Sequence, residues 1–550
     1  MTTRAAAIRR ASPMADPERW PDIATVPRNR LRATAARALF ARACSQLPLQ
    51  VIQSGCPPLG AGLPGSPVMY IDRPGDFYQR IGASGLIGFG ESYMAGDWDS
   101  PDLAALLTVF AGAVGTLVPG WLQPLRRVAV RRIPGSDDPT IAQARRNISR
   151  HYDLSNEMFA LFLDQTMTYS AALFDCDARG LPVSPPAGET AAMAALTGAQ
   201  YRKIDRLLDM TGVGPGSRVL EIGTGWGELA IRAARRGAQV RTVTISAQQH
   251  ALAVERVAQA GLSGRVSVEL ADYRELGGQY DAVLSVEMIE AVGERHWPDY
   301  FGALARLTAP GGRIGLQAIT MPHQRLLASR RTHTWVLKYI FPGGLIPSLT
   351  AIEATAAASG LTVVDRFSFG PHYAQTLQLW QEQFCANSGQ LSRLGFDEVF
   401  RRMWTLYLAY SEAGFRSGYL DVSQLLLASR RHGWPDSGGV CARRTRAKSR
   451  PSRRDGAPPS QSFLNVSSTA IGAGILLDAS VVGMFRSRRW SRSSAAGTGT
   501  SQAEPRSCCA PAQPTCTTQR RRRNARDDGQ ACGAGREAEL AGPRPLKVAP

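Results

Sequence analysis

Lysine is nearly absent: of 64 basic residues in the 550-residue chain only four are lysines, Lys203, Lys338, Lys448 and Lys547. So strong a preference for arginine reads as the mark of a GC-rich coding sequence. The nine cysteines form no CxxC pair and no Cys/His cluster at zinc-ligand spacing, which argues against a zinc module or a disulfide framework and for reduced, cytosolic thiols. The first twenty residues carry basic side chains but no apolar core, so they do not form a secretory signal. No stretch of the body reaches the roughly 18 apolar residues that a membrane span needs. The nearest approach, 463–485, is interrupted by Asp478 and rich in Ser and Gly.

Hydrophobic residues make up 44% of the chain, enough for a sizeable core, and the length allows two or three domains. The net charge of +19 is uneven: from Pro435 onward 20 basic residues face 8 acidic ones, leaving 44 against 37 in the rest. That moderate excess suits an anionic membrane surface, at roughly 1 kcal/mol per well-placed basic residue. It suits nucleic acid equally, so by itself it selects neither.

Four regions follow from the texture: a flexible N-terminus (1–25), a smaller N-terminal lipid-binding or accessory domain (26–140), an α/β domain (141–432) and a disordered basic tail (433–550). The tail is rich in Arg, Ser, Ala, Gly and Pro without periodicity, the texture that an extension read out of frame would have. Near the start, 28–47 has helical spacing with Leu31, Ala35, Leu39 and Ala43 on one face, and is expected to dock on its own domain. Arg126, Arg127, Arg131 and Arg132 read as a solvated face. Strands are expected at 218–222, 239–245, 266–270, 282–286 and 313–318, with helices between them. One such helix, 248–260, would carry Ala251, Val254 and Ala258 on one side, and Pro310-Gly311-Gly312 would form a turn before the last of these strands. The alternation predicts a mainly parallel sheet covered on both faces.

The sharpest local signal is Val219-Leu220-Glu221-Ile222-Gly223-Thr224-Gly225-Trp226-Gly227, an apolar strand running into glycines and then a helix. Glycines let backbone approach a ligand closely, with a helix N-terminus behind them. The spacing is not the GxGxxG of dinucleotide folds. It resembles motif I of the seven-stranded, Rossmann-like S-adenosylmethionine methyltransferases, and that fold is the expectation, with the smaller N-terminal domain before it and the tail behind.

A more specific likeness comes from Asn147–Asn156 (NISRHYDLSN), 164–170 (DQTMTYS), 285–293 (SVEMIEAVG), 338–344 (KYIFPGG), 370–373 (GPHY) and 85–94 (GLIGFGESYM). Together these resemble the cyclopropane fatty acid synthases, above all the actinobacterial branch linked to tuberculostearic acid. The resemblance implies that Tyr169, Ser170, Gly223, Thr224, Gly225, Thr244, Ile245, Ser246, Gln249, Tyr273 and Arg274 bind S-adenosylmethionine. It assigns catalysis to Glu290, Tyr373 and Tyr169. Glu290 and Tyr373 match positions that hold a bicarbonate ion, with the backbone of Ile319 nearby. Two members of that site depart, since Ala171 stands where Cys is usual and Gln317 where His is usual. Glu287 reads as a structural carboxylate, and His151 as an orienting hydrogen-bonder.

The implied substrate is an unsaturated acyl chain, such as oleoyl, of a phospholipid reached at the inner face of the membrane by a cytoplasmic, peripheral enzyme. No metal and no nucleic acid are expected. An alkene attacking a methylsulfonium leaves a carbocation, which aromatic faces stabilise by about 2 kcal/mol when desolvated; Tyr169, Phe174, Tyr273 and Trp380 are candidates. Proton loss then gives a cyclopropane, or, after a hydride shift, a methylene branch that a partner reductase would convert to methyl. The departures at Ala171 and Gln317 favour the branch. Methylation of a soluble or carrier-bound substrate, and a lipid-binding relic without catalysis, are the competing readings.

Overall fold

Strands form where β-branched and apolar runs meet glycine or proline. In the computed structural model, residues 15–113 and 155–430 are described, and all lie within one compact unit, Met1–Trp490. The N-terminal part builds a small sheet from β1 (Gln50–Gln53), β2 (Val68–Ile71) and β3 (Trp98–Asp99). The larger sheet has seven strands: β4 (Arg218–Ile222), β5 (Gln239–Thr244), β6 (Val266–Leu270), β7 (Tyr280–Val286), β8 (Thr308–Thr320), β9 (Leu361–Ser368) and β10 (Asp421–Ser429). Their order is β6-β5-β4-β7-β8-β10-β9. Strands β4 to β8 run parallel, and β10 is antiparallel to both neighbours.

The chain leaves β4 toward one edge and returns through β7 toward the other, so the sheet reverses its winding between those two strands. Open α/β sheets bind ligands in the crevice at such a point, beyond the carboxyl ends of the strands. The antiparallel β10 has a local consequence: its register sets Gln424 opposite Gln317 of β8.

Three expectations are corrected. The helix Arg30–Cys44 buries Ala36, Phe40 and Cys44 rather than the Leu31 column, and Leu31 is 77% exposed. Phe40 fixes that face by packing edge-on against Phe77 at 5.2 Å and Tyr78 at 6.1 Å, so the helix does dock on its own surroundings. The Ala247–Gln259 helix likewise buries Gln249, Ala253 and Val257, leaving Val254 exposed. Alanines on several faces make the apolar stripe ambiguous, and the close approach of Gly227 to Ala253 decides it, a Cβ on that glycine lying 3.4 Å from the Ala253 side chain. Finally, Pro310-Gly311-Gly312 does not precede a strand but interrupts one. Tyr280 pairs with Thr308 and Ala282 with Arg313, so the residues between loop out as a bulge, with Gly311 at φ +78°.

The N-terminal part and the sheet domain share one hydrophobic cluster, which runs from Phe40, Phe77 and Trp98 to Phe159, Trp380 and Trp404. Within 85–94, Gly90 and Glu91 serve this contact. A Cβ on Gly90 would meet the Trp335 ring at 2.4 Å, and Glu91 accepts hydrogen bonds from Lys338 Nζ at 2.5 Å and Tyr339 Oη at 2.9 Å. Among the described residues no helix is long and apolar enough to cross a membrane. The segment 147–154 with His151, the arginines of 126–132, the stretch 463–485 and the tail lie outside the described residues.

Candidate active site

A cavity opens at the switch point. Gly223 to Gly225 after β4, Thr244 and Ile245 at the end of β5, Ala271 to Arg274 after β6, and Glu287 and Met288 after β7 line it, with 166–170 closing another side. Gly223 sits at φ +97°, in the left-handed region that suits glycine, and a Cβ there would press on Met288 Cγ at 3.2 Å. The Thr242 hydroxyl lies 2.6 Å from Glu221 Oε2 and 2.7 Å from Thr224 Oγ1, tying the loop to the sheet. Burial pushes the Glu221 carboxyl up to about 8.

Of the residues expected to bind cofactor, all line this cavity except Ser246. The Ser246 hydroxyl instead caps the Ala247–Gln259 helix by accepting from Gln249 N at 3.3 Å, the usual use of serine at that position. Gln249 Oε1 accepts from Thr244 Oγ1 at 3.0 Å, which leaves the amide N–H groups as the end that can reach a ribose. The Arg274 guanidinium is held bidentate by Asp272 at 2.8 and 2.7 Å. Tyr273 packs edge-on to Tyr300 at 5.5 Å, and burial pushes its hydroxyl up to about 12. Loop, hydrogen-bonding side chains and helix N-terminus fit the methionine, ribose and adenine parts of S-adenosylmethionine.

The three residues expected to be catalytic divide. Tyr169 lines the cavity, its ring stacked on Trp380 at 5.1 Å and its hydroxyl 2.9 Å from that of Tyr407. Glu290 and Tyr373 are not among the lining residues. Glu290 Oε1 accepts from Ile319 N at 2.5 Å, while its buried Oε2 has no hydrogen-bond partner. Burial and the neighbouring Glu287 charge push Glu290 up to about 8. Tyr373 donates not to Glu290 but to Glu287 Oε2, at 2.6 Å.

Glu287, read from sequence as structural, is therefore the centre of this cluster. Besides Tyr373, its Oε1 accepts from Ala171 N at 2.9 Å and from Gln317 Nε2 at 2.8 Å. Gln317 is oriented in turn by Gln424, whose Nε2 donates to Gln317 Oε1 at 3.1 Å. Lys203, wholly buried, donates to Ser170 Oγ at 2.7 Å and feels the charges of Glu287, Asp164 and Glu221. Burial lowers its ammonium to about 8. Glu287 also has φ +50°; it and Met167, at φ +54°, are the non-glycine residues with positive φ among those described, and both line the cavity. Strain of this kind concentrates at functional sites. Nothing in the residue pattern marked Lys203, beyond its being one of four lysines.

Bicarbonate does not fit. Of the groups expected to hold it, Tyr373 already donates to Glu287 and Ile319 N to Glu290, and at the two altered positions the Ala171 backbone and Gln317 also donate to Glu287. An anion there would find these donors taken and would face a second carboxyl, Glu287, besides Glu290.

The aromatic candidates also divide. Tyr169 and Trp380 join Phe159, Phe162 and Trp404 in one group of ring contacts between 5.1 and 6.2 Å. Phe174 stacks by His372 at 6.4 Å, and neither it nor Trp380 lines the cavity. His372 ties the GPHY segment to 174–176, accepting from Phe174 N at 3.0 Å.

A family model described as mycolic acid cyclopropane synthetase matches residues 140–425. The chain is 56% identical over 416 residues (75% of this chain, 96% of the relative) to tuberculostearic acid methyltransferase UfaA1 of Mycobacterium tuberculosis. It is 32% identical over 356 residues (64% and 86%) to the cyclopropane-fatty-acyl-phospholipid synthase of Escherichia coli. A solved structure of mycolic acid cyclopropane synthase CmaA1 complexed with SAH and CTAB is 32% identical, with a TM-score of 0.45, over 53% of this chain and 98% of that one. The class is thereby settled: the chain is an S-adenosylmethionine-dependent methyltransferase. It belongs to the mycolic acid cyclopropane synthetase family.

Proposed function

We propose that this enzyme transfers a methyl carbon from S-adenosylmethionine to the double bond of an unsaturated acyl chain, such as oleoyl, in a phospholipid, and yields a methylene or methyl branch. The observation that carries this reading is a carboxylate, Glu287, set in the wall of the cofactor cavity that also holds Tyr169 of the aromatic group. The 56% identity to a tuberculostearic acid methyltransferase supports the substrate class.

S-adenosylmethionine supplies an electrophilic methyl group. An alkene has no proton to remove before it attacks, so the site needs no base for the first step. It needs shelter for the cation that follows and an acceptor for the proton lost afterwards. The Tyr169 ring face, backed by Trp380, serves the first need. A carboxylate serves the second. Gln317 and Ala171 donate to that carboxylate, an acceptor geometry unlike that implied for ring closure, and it supports a branch over a cyclopropane. The enzyme would then meet phospholipid from the cytoplasmic face of the membrane, and a reductase would complete a methyl branch.

Expression of the full chain in a host that makes oleate tests this. Lipid fragmentation or NMR should find a branched C19 acyl chain in the phospholipids. Cyclopropane alone would refute the branch, and unchanged lipids would refute the substrate.

A further inference from the structure

Glu287 is more than an ordered side chain beside the cavity. Three donors from distant parts of the chain converge on its carboxylate: Tyr373 Oη from the Gly370–Ala386 helix, Gln317 Nε2 from β8, and Ala171 N from the segment after Tyr169-Ser170. The backbone holds it at φ +50°, a conformation that L residues rarely adopt and that glycine would adopt freely. Non-glycine residues persist there when the surroundings demand them. Glu290, by contrast, keeps one buried oxygen unpartnered and lines no part of the cavity.

We propose that the Glu287 carboxylate occupies the place given to bicarbonate in the cyclopropane synthases, so that this enzyme removes the proton with a base of its own chain. The inference rests on the reading of alkene methylation above. In that step the carbon–sulfur bond breaks with its electron pair going to sulfur. The alkene π pair makes the new carbon–carbon bond and leaves a cation at the adjoining carbon. After a hydride shift, a C–H pair fills the cation as a double bond, and its proton passes to Glu287. Water takes that proton when product leaves. Tyr373, Gln317 and the Ala171 amide hold the carboxylate and act as positioning groups, with Gln424 orienting Gln317.

The test compares wild type with Glu287→Gly and Glu287→Gln, using bicarbonate itself as the probe. Glycine tolerates φ +50° and empties the carboxylate position, whereas glutamine fills it without charge. Wild type should show no bicarbonate binding by calorimetry and no loss of turnover in carbon-dioxide-free buffer. Glu287→Gly should bind bicarbonate, lose about a hundredfold in turnover without it, and recover at least about tenfold with it. Glu287→Gln should lose turnover equally and recover nothing. S-adenosylmethionine affinity should stay near wild type in both variants, showing that the pocket is intact. Stoichiometric bicarbonate binding by wild type, or full turnover of Glu287→Gly without the ion, would overturn the proposal. If Glu287→Gly does not fold, wild type and Glu287→Gln decide alone: full activity of the latter is fatal. Should wild type make no lipid product, the functional reading fails, while calorimetry still answers the question about the ion.

Discussion

Two clusters in this protein, one half-buried and one buried, are built from the same parts, a lysine, a glutamate and a tyrosine, and they differ in what is left undone. At the joint between the N-terminal part and the sheet domain, Lys338 bonds both Glu91, at 2.5 Å, and Asp22, at 2.7 Å, while Tyr339 donates to the same Glu91 oxygen. No residue there has positive φ. At the cavity, Lys203 feels the Glu287 charge but donates to Ser170, Tyr373 bonds Glu287, the glutamate backbone is strained, and the adjacent Glu290 keeps a bare oxygen. A completed network stabilises a fold. Groups left short of partners, and strain held against a cavity, mark the place where a ligand or a proton completes the set.

Substitutions should separate the two. Glu91→Ala strands the Lys338 ammonium, half of whose pairing remains through Asp22, and should cost about 3 kcal/mol of unfolding free energy in denaturant titration. Turnover of the folded protein should stay near wild type. Tyr373→Phe should do the reverse, lowering turnover about a hundredfold while stability and cofactor affinity barely move, because it removes only the hydroxyl that holds Glu287. A loss of cofactor affinity would place Tyr373 with the structural cluster instead. Glu290→Gln should lower turnover at least about tenfold with little change in calorimetric cofactor affinity; equal activity would remove Glu290 from the machinery.

The smallest effect concerns pH. Glu290 and Glu221, both pushed up to about 8, hold protons in the folded chain that the unfolded chain sheds near pH 4.5. Their contribution to stability is complete below about 4.5 and is lost as pH rises through about 8. Glu290→Gln should flatten the fall in melting temperature over that window, by a few degrees at roughly 2–4 °C per kcal/mol. An unchanged slope would mean that Glu290 is ionised at neutral pH.

Much of the site was legible in the chain. Strand β4 and its glycines combine two local properties, an apolar run and positive φ, and both follow from residue type. Tyr169, Tyr273 and Arg274 were placed by motif, and they reach the cavity. Helix faces were misread where alanine made the stripe ambiguous, because the partner surface decides which side is buried. Ser246 is ambiguous in sequence, since its hydroxyl serves either a ligand or a cap, and the fold sets it at the helix cap.

What the sequence determined by itself was the strand-glycine-helix unit, the parallel sheet and the family motifs, since those signals are local and rest on backbone preferences. The tertiary structure decided which carboxylate lines the cavity. Glu287 gathers donors 30, 86 and 116 residues away, and Gln424 orients Gln317 only because β10 runs antiparallel beside β8 in one particular register. Contacts across such separations leave no periodicity in the chain, so the donors converge on Glu287 only once the sheet has brought them together.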